Sequence, residues 1–526
     1  MPSKLRRELD ILNYTNSNVI ENVGVIFLLL IFGITTFTLT YMTLIYVESQ
    51  ATIQVMYIQS DKPAVFETSP KFLSIGLDAK VIANGFHKFN MSDSKLIAMM
   101  KYLGPAYLRI GGNLADRVLF SLSNEIDEYS EDYYGYQYIE NKNLDMLPNI
   151  TLKASDWLKL NKLANNTNME IFYGLNALLR SRNGTWDSRN AETMIKFSND
   201  NRLKVNWELG NEPNSFRHKF NEAVNATQLA KDFATLRKIL NKYSNYKYSL
   251  LVGPDVTRPQ HNPESQIYLE TFIKTGSASI NKITWHQYYL NGHNTSTKDF
   301  LDPKVYDLLR YQINRVKEIT NRTGKAIWLG ETSSAYGGGA PLLSDRFIST
   351  FLWLDKLGLA AKLGVEVVMR QSIFYGNYSL LDDDYNPNPD WWISIIYKAF
   401  VGQKVIPFYN VTTAGVRLYA HCSTGSVSKG VTIFGFNVDR TYANVEIEGL
   451  FNTNGQVPQY AQEFLLHTGY LDSKDVFCNG KVLKMLPGNR LPNVFGVNKK
   501  ISPYLSIPPF SLVFWIIPNV NVKACL

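Results

Sequence analysis

The chain has 526 residues, of which 45% are hydrophobic and 19% are charged, with 33 Gly and 21 Pro. This composition is typical of a globular protein and excludes a disordered, collagen-like or small disulfide-rich chain. The formal net charge of +8 is modest for this length, and the sequence contains no run of five or six like charges. Nothing therefore indicates a nucleic-acid partner, and function has to be inferred from individual motifs.

The first distinctive segment is residues 23–47, which carry no charged side chain over 25 residues. About 20 apolar residues span a bilayer, whereas the apolar core of a cleaved signal peptide has about 7 to 15. We therefore predict an uncleaved N-terminal transmembrane helix, a signal-anchor over residues 23–47. Cleavage after Ser49 is the alternative.

The flanking charges predict the orientation of this segment. Lys4, Arg6 and Arg7 precede it, and Lys and Arg are enriched on the cytoplasmic side of membrane spans. We expect a cytoplasmic tail over residues 1–22 and a lumenal or extracellular main body, which is the topology of a single-pass type II membrane protein. Cleavage of the anchor would instead give a secreted or lysosomal protein.

Sequons for N-glycosylation are consistent with an exported main body, because glycans are added to Asn-x-Ser/Thr in secreted proteins. The predicted glycosylation sites are Asn90, Asn149, Asn165, Asn183, Asn225, Asn294, Asn321 and Asn410.

All three cysteines, Cys422, Cys478 and Cys525, lie in the last fifth of the chain, and their spacing matches no metal site. In an oxidising compartment one pair can form a disulfide. We favour Cys422 with Cys525, which would close a loop of about 100 residues and contribute roughly 4.7 kcal/mol on the chain-entropy model. Cys478 would then remain free.

Residues 69–403 alternate short β-rich apolar runs with segments of helical periodicity. Eight such units in about 330 residues predict a closed (β/α)8 TIM barrel rather than an open doubly wound sheet. The predicted strands are Leu73–Asp78, Tyr107–Gly111, Ile171–Leu175, Val205–Gly210, Tyr248–Gly253, Lys282–His286, Ala326–Gly330 and Val365–Gln371.

The regions on either side of the predicted barrel have a different sequence pattern. Residues 404–526 contain short alternating strands and turn residues, which predict a C-terminal antiparallel β-sandwich. Residues 52–68 are extended in character, and we expect them to add a strand to that sandwich. The acidic, Tyr-rich residues 121–148 lack periodicity and predict a long exposed insertion after the second barrel strand.

Two predicted barrel strands end at a glutamate in a distinctive setting. Glu212 follows strand four and Glu331 follows strand seven, 119 residues apart, which places both at the carboxyl end of the barrel where active sites lie. Glycosidic bonds are hydrolysed through a covalent intermediate by one protonated and one ionised carboxyl group about 5 to 5.5 Å apart. Like charges at this separation raise one pKa, which would keep the acid protonated.

The surrounding sequences resemble those of the heparanases, retaining endo-β-glucuronidases of glycosyl hydrolase family 79. The resemblance runs from about residue 53 to the C-terminus, including Cys422 and Cys525. It implies hydrolysis of internal glucuronide–glucosamine linkages in heparan sulfate or a related glycosaminoglycan, without metal or cofactor. The motifs that carry it are PAYLRIGG (105–112), FYGLNALLR (172–180), WELGNEPNSF (207–216), TWHQYYLNG (284–292), WLGETSSAYGGGAPLLSD (328–345) and LDKLGLAAKLGVEVVMRQ (354–371).

Carried over residue by residue, the resemblance makes Glu212 the acid/base and Glu331 the nucleophile. It also implies that Asn211 bonds the sugar 2-hydroxyl and that Tyr288 orients Glu331. Because Asn377 would lie in the same cleft, we expect its sequon to stay unmodified. The residues expected to hold the saccharide or to stand beside the glutamates are Asp78, Asn211, His286, Tyr288, Gly338, Gly339, Gln371, Gly376 and Tyr378.

The sequence departs from the family where a sulfated substrate would bind. The segment after strand five, VTRPQHNPESQ, has few basic residues, and His293 stands where the family has an arginine after LNG. A sulfated polyanion needs Lys or Arg for affinity. Two alternatives therefore stay open: a glucuronidase for a non-sulfated glycan, and a catalytically silent surface protein that binds glycans. Excision of a linker from residues 121–148, as the family's maturation implies, also stays open.

Overall fold

The computed structural model describes residues 29–37, 51–123, 150–259, 263–425, 429–452 and 454–526. Within these ranges no helix combines the length and the apolar character needed to cross a bilayer. Of the predicted span over residues 23–47, only the helical residues 29–37 are described. The predicted tail and most of the predicted insertion after the second strand lie outside the described residues, and the anchor stays a prediction.

Eight parallel strands, numbered β1 to β8 in chain order, form one sheet with the strand order β4-β3-β2-β1-β8-β7-β6-β5. The sheet closes where Trp207 of β4 bridges Leu251, just before β5, and the Trp207 backbone N–H donates to the carbonyl of Leu250 at 2.9 Å. The predicted (β/α)8 barrel is thus confirmed. The strands are Leu73–Asp78, Ala106–Gly111, Met169–Leu175, Val205–Leu209, Val252–Val256, Lys282–Asn291, Ile327–Tyr336 and Val365–Arg370.

Eight long helices alternate with these strands and cover the outside of the barrel, as the helical periodicity predicts. Three of them begin at a side-chain cap: Asp93, for example, accepts hydrogen bonds from the backbone N–H groups of Lys95 and Leu96. Three short helices, Lys80–Ala83, Phe216–Phe220 and Thr297–Phe300, lie in the connections. The long helices are Ser94–Leu103, Ala154–Asn166, Arg189–Asp200, Ala226–Asn241, Glu264–Gly276, Pro303–Thr320, Ser349–Lys362 and Pro389–Phe400.

Three strands differ from their predicted bounds by more than two residues. β5 begins at Val252, four residues later than predicted, because Ser249 is still in a turn whose backbone N–H donates to Tyr246. It also runs through Pro254, which a sequence interpretation takes as a strand breaker. β6 and β7 are longer than predicted because they pair with each other as far as Asn291 and Tyr336.

The amino-terminal half of the barrel interior is filled by a separate apolar cluster. Trp328 is 1% exposed, and its ring lies 5.3 Å from that of Tyr107 and 5.6 Å from that of Phe172. Its indole N–H donates to Glu366 Oε2 at 2.6 Å, so the one polar atom of the side chain is satisfied. This cluster leaves the carboxyl end as the open end of the barrel. Its buried members are Tyr107, Phe172, Val252, Trp328, Val367 and Met369.

Among the described residues, Val118–Ser121 and Ile150–Lys153 pair in parallel as a two-stranded sheet, and the other remaining strands form two larger sheets beside the barrel. The smaller has the order Phe408–Val411, Thr52–Ile58, Ala443–Glu448 and Leu505–Ile507. The larger has the order Phe66–Glu67, Val401–Val405, Val416–Ser423, Val431–Asn437, Ser511–Ile517, Tyr460–His467, Phe477–Cys478 and Lys481–Val482, with Val497–Lys500 paired to Tyr460–His467.

The extended residues 52–58 do add a strand here, but the prediction of a purely antiparallel sandwich is wrong in one place. Thr52–Ile58 runs parallel to Ala443–Glu448, although it is antiparallel to Phe408–Val411. The strand buries Met56 and Ile58 on one face. This pattern determines which face of the strand is buried, but not whether the strand runs parallel or antiparallel to its partner.

The larger sheet is tied to the barrel and to the C-terminus. Tyr419 donates its hydroxyl to Asp355 of the helix Ser349–Lys362 at 2.6 Å, with both side chains buried. Cys422 and Cys525 form a disulfide, as favoured from the sequence, with their Cα atoms 5.4 Å apart.

The predicted glycosylation sites differ in accessibility. Asn410 is half-buried, and its side-chain nitrogen, to which a glycan would attach, donates to the carbonyl of Leu418 at 2.9 Å. Asn149 lies outside the described residues. The exposed sites are Asn90, Asn165, Asn183, Asn225, Asn294 and Asn321.

Candidate active site

A buried arginine lies at the centre of the open end of the barrel. Arg109, on β2, is 1% exposed and donates from three nitrogens. Nε bonds Glu208 Oε2 at 2.8 Å, Nη1 bonds Glu331 Oε2 at 2.8 Å and Nη2 bonds Asn211 Oδ1 at 3.0 Å. Because a guanidinium presents its donors in a rigid fork, this single side chain sets the relative positions of groups from β4 and β7.

Glu331 is held at both carboxylate oxygens. Tyr288 donates its hydroxyl to Oε1 at 2.7 Å, while Arg109 donates to Oε2. Burial, followed by the nearby carboxylate of Glu331, raises the pKa of Tyr288 well above its ordinary value, so the phenol stays a donor. Glu331 is nevertheless 8% exposed, and the carboxylate is thus oriented by the barrel without being sealed off.

Glu212 lies on the turn after β4, in a left-handed backbone conformation with φ of 53°. His286 Nδ1 is 3.1 Å from its Oε1, and the ammonium of Lys219 contacts its Oε2. Burial alone would raise the pKa of Glu212, but the charge of Lys219, followed by His286, lowers it below the ordinary value. The expectation of a raised pKa from an approaching carboxylate is therefore wrong for the ligand-free site, because the nearest charged groups are cations.

His286 lies between two carboxylates. Its Nε2 is 3.4 Å from Asp255 Oδ1 on β5, and its Nδ1 faces Glu212. Burial lowers the pKa of His286, but the charge of Glu331 and the contacts with the carboxylates of Asp255 and Glu212 outweigh burial and raise the pKa to about 9. The imidazole is therefore a cation that orients Glu212.

Asp78 and Gln371 lie together at the ends of neighbouring strands β1 and β8. Gln371 Nε2 donates to Asp78 Oδ2 at 2.9 Å. Burial raises the pKa of Asp78 to about 6, with a further contribution from Glu331, against the opposing effect of the Lys80 backbone N–H. These two predicted residues thus share the rim with the glutamate of β7.

The predicted glycines lie in the loops after β7 and β8. Gly339 has a φ of 89°, and a Cβ there would lie 2.8 Å from the backbone nitrogen of Tyr378, so the close approach requires glycine. The backbone N–H of Asn377 donates to the carbonyl of Gly338 at 2.6 Å. Gly376 lies against the ring of Tyr378, which in turn stacks on Tyr288 with ring centroids 6.3 Å apart.

Five residues of this site are absent from the set inferred from the sequence: Arg109, Asp116, Glu208, Lys219 and Asp255. The signal for Arg109 was present, because it is the one charged side chain in an otherwise apolar strand. Asp116 accepts hydrogen bonds from the backbone N–H groups of Ala177 and Asn211, at 2.9 and 2.8 Å, which positions the turn that carries Glu212. Burial raises the pKa of Asp116 to about 7, although these backbone bonds lower it.

Within the described ranges, no group of three or more His, Cys, Asp and Glu side chains is arranged to hold a metal ion.

The barrel and its paired glutamates are those of a glycoside hydrolase. Residues 81–358 match the family model described as glycosyl hydrolase family 79, N-terminal domain. The chain belongs to glycosyl hydrolase family 79.

Curated relatives cover most of the chain. Heparanase of Bos taurus is 35% identical over 499 residues, which is 87% of this chain and 90% of that protein. Hyaluronoglucuronidase of Hirudo nipponia is 30% identical over 502 residues, 88% and 98% of the two chains. Inactive heparanase-2 of Homo sapiens is also 30% identical, over 529 residues, 89% and 88% of the two chains. The family thus contains named enzymes with different substrates and a named inactive member.

Solved structures share the fold at low identity. A 4-O-α-L-rhamnosyl-β-D-glucuronidase from Fusarium oxysporum has a TM-score of 0.65 at 15% identity, covering 88% of this chain and 99% of its own. An α-L-arabinofuranosidase from Thermotoga maritima has a TM-score of 0.59 at 14% identity, covering 88% of this chain and all of its own. At these identities the likeness concerns the fold alone.

Proposed function

We propose that this protein is a retaining endo-β-glucuronidase that hydrolyses internal glucuronide–glucosamine linkages of heparan sulfate. The observation that carries the proposal is the setting of Glu331, whose two oxygens accept hydrogen bonds from Tyr288 and Arg109 while the carboxylate stays reachable from the barrel mouth. A nucleophile needs this combination of fixed direction and access.

In the first step, Glu331 attacks the anomeric carbon of the glucuronide and the bond from that carbon to the leaving oxygen breaks. Glu212 gives its proton to the leaving oxygen, so the departing glycan leaves as an alcohol. A glycosyl ester on Glu331 results. Tyr288 and Arg109 keep the carboxylate aimed during attack, since they bond different oxygens.

In the second step, water attacks the anomeric carbon and Glu212, now ionised, takes the proton from that water. Glu331 is released and the configuration of the sugar is retained. His286 orients Glu212 in both steps through its contact of 3.1 Å. Asn211, fixed by Arg109 at 3.0 Å, is placed to bond the sugar 2-hydroxyl.

The saccharide itself would lie along the rim formed by the loops after β1, β7 and β8. Asp78 and Gln371 offer polar atoms on one side, and the backbone around Gly338, Gly339 and Gly376 offers N–H groups where side chains are absent. Backbone donors suit a uronate carboxylate because they supply hydrogen bonds without steric bulk.

A second candidate substrate is a non-sulfated glucuronide polymer such as hyaluronan. It is favoured by the small number of free basic side chains at the rim: His293 stands where the family has an arginine, and the guanidinium of Arg258 donates to the carbonyl of Tyr288 at 3.1 Å. The relative from Hirudo nipponia, a hyaluronoglucuronidase, supports the same possibility.

We test these alternatives by the chain lengths of heparan sulfate, hyaluronan and chondroitin after incubation with wild type, Glu331→Gln and a control variant, Glu192→Gln. Glu192 lies on the outer helix Arg189–Asp200 and pairs with Lys242, away from the mouth. Wild type and Glu192→Gln should shorten heparan sulfate to oligosaccharides, and Glu331→Gln should not.

The other outcomes each overturn a part of the proposal. Shortening of hyaluronan or chondroitin alone identifies the second candidate. Binding of a glycan without cleavage by wild type identifies a silent glycan-binding protein. Equal cleavage by wild type and Glu331→Gln contradicts the role of Glu331.

We also propose that residues 23–47 anchor the protein, with the barrel lumenal or extracellular and N-glycosylated at its exposed sequons. The basis is the stretch of 25 residues without charge and the basic residues before it. Full-length protein should stay with membranes after alkaline extraction and should lose mass on removal of N-glycans. Release into the soluble fraction would contradict the anchor.

A further inference from the structure

Lys219 has no place in the catalytic scheme, yet it touches the acid/base. It lies on the short helix Phe216–Phe220, which follows directly from the turn that carries Glu212. Phe216 and Phe220 are buried and anchor this helix, their rings 5.6 Å apart. Because positions three and four apart share a helix face, Lys219 lies on the same side of the helix as Phe216, three positions before it.

The ammonium of Lys219 has two partners. It contacts Glu212 Oε2, and it donates to Asn113 Oδ1 at 2.6 Å. Its side chain is 19% exposed, whereas the other cation on Glu212, His286, is 1% exposed. Lys219 can therefore be reached by a ligand from the mouth, and His286 cannot.

This contact is opposed to the first catalytic step. Glu212 has to carry a proton to protonate the leaving oxygen, but an ammonium on its carboxylate favours the ionised form. The second step needs the reverse, because Glu212 then acts as a base. With Lys219 on its carboxylate, Glu212 is thus arranged for the second half of the reaction.

We propose that Lys219 binds an anionic group of the glycan next to the scissile linkage, a sulfate or a carboxylate, and by leaving Glu212 allows it to become the acid. This inference rests on the proposed function. When the negative charge of the ligand replaces that of Glu212 beside the ammonium, the carboxylate loses its closest cation and can take up a proton. Acid catalysis is then coupled to the presence of an anionic substrate.

Other charged or titratable side chains belong to the same site, so the effect of Lys219 on Glu212 has to be separated from theirs. They come from β2, the turn after it, and strands β5, β6 and β7. Their effects oppose one another, since carboxylates favour the protonated form of Glu212 and cations the ionised form. These groups are Arg109, Asp116, Asp255, His286, Tyr288 and Glu331.

The test compares the pH dependence of kcat/KM, which reports the free enzyme, with that of kcat, which reports the enzyme–substrate complex. For wild type acting on a sulfated heparan oligosaccharide, the alkaline limb of kcat should lie about one pH unit or more above that of kcat/KM. For Lys219→Met the two limbs should coincide. Lys219→Arg keeps the charge and should restore the separation.

Comparison of a sulfated oligosaccharide with its desulfated counterpart identifies the anionic group that Lys219 binds. If sulfate is the ligand, the preference of wild type for the sulfated oligosaccharide over its desulfated counterpart should fall by about tenfold in Lys219→Met. If carboxylate is the ligand, the separation of the limbs should persist in wild type on the desulfated oligosaccharide. Lys196→Met, which removes an outer lysine paired with Asp200 at 2.6 Å, is the matched control and should behave as wild type.

Failure of this inference can be told from failure of the proposed function. Coincident limbs in wild type, on a substrate that it cleaves, overturn the role of Lys219 and leave the glucuronidase intact. An unchanged separation in Lys219→Met has the same meaning. Absence of cleavage by wild type overturns the proposed function itself.

Discussion

The two ends of the barrel interior are built from the same strands but from opposite kinds of side chain. β2 contributes Tyr107 to the amino-terminal end and Arg109 to the mouth, and β7 contributes Trp328 and Glu331 in the same way. At the amino-terminal end, aromatic rings pack 5.3 to 5.6 Å apart around Trp328. At the mouth, the contacts are hydrogen bonds between charged groups.

The difference shows that the two ends of the barrel contribute differently to its stability. Burying charges costs free energy that ion pairing only partly offsets. The mouth is also incompletely satisfied, since the oxygens of Asp255 lie 3.4 Å from His286 and 3.7 Å from Arg109, longer than good hydrogen bonds. The apolar end, which buries large rings without such penalties, contributes stability that the mouth does not.

Glu331→Gln should abolish hydrolysis and leave the fold unchanged. The substitution keeps the shape of the side chain but removes the nucleophile, so kcat/KM for a β-glucuronide should fall about 10⁴-fold or more. The midpoint of thermal unfolding should stay close to that of wild type. The substitution weakens the hydrogen bonds of the carboxylate, but it also removes the cost of burying its charge. Activity within tenfold of wild type would contradict the division between the two ends.

Trp328→Ala should lower the stability of the protein and change its activity little. Truncation leaves a cavity among Tyr107, Phe172 and Met369 and should lower the free energy of unfolding by about 3–5 kcal/mol. Measured at a temperature where the variant is folded, kcat should change only a few-fold. Denaturant unfolding and steady-state kinetics on one preparation provide both numbers, and a large loss of kcat without loss of stability would show that the ends are not separable.

Tyr288→Phe should show how much the hydrogen bond from Tyr288 contributes to orienting Glu331. It deletes the hydrogen bond of 2.7 Å to Glu331 and leaves the ring, which stacks on Tyr378. A hydrogen bond to a charged group contributes about 1.5–3 kcal/mol, so kcat/KM should fall roughly ten- to a hundredfold. An unchanged kcat/KM would mean that Arg109 alone orients the carboxylate.

The stability contributed by the buried acids at the mouth should decline between pH 5 and pH 8. Burial raises the folded-state pKa of Asp78 to about 6 and of Asp116 to about 7, above the unfolded value of 3.8. The stability contributed by these groups is present below pH 3.8 and is lost as the pH rises through 6 and 7. His286, whose pKa is raised to about 9, adds a loss from pH 6.5 upwards.

Unfolding midpoints at pH 5 and pH 8 measure this decline, and Asp116→Asn should flatten it. A pH dependence of the midpoint that is the same in wild type and Asp116→Asn would contradict the burial of a neutral acid at this position.

Much of the barrel was predictable because its signals are local. Strands such as Leu73–Asp78 are continuous apolar runs followed by a polar turn, and Glu212 and Glu331 follow apolar runs of the sequence. The direction of Thr52–Ile58 was not predictable, because an extended strand pairs in either sense and the partner, Ala443–Glu448, is almost 400 residues away. β5 was misplaced because the Gly253-Pro254 dipeptide is typical of a turn.

The site was predictable in part for the same reason. Glu212 and Glu331 stand in long specific motifs, whereas Lys219 looks in sequence like any solvent-facing residue of a short helix, beside Arg217 and His218. Its contact with Glu212 depends on how the turn after β4 folds back, which Asp116 positions from the turn after β2. The ionisation of Glu212 therefore could not be inferred from the pair of glutamates alone.

The most direct test of the central claim is to trap the covalent intermediate. A 2-deoxy-2-fluoro glucuronyl fluoride should inactivate the enzyme by forming a slowly hydrolysed ester, and mass spectrometry of proteolytic peptides locates the label. The account predicts one glycosyl group per chain, on Glu331, and none in Glu331→Gln. A label on another residue, or turnover of the substrate with inverted configuration, would contradict it.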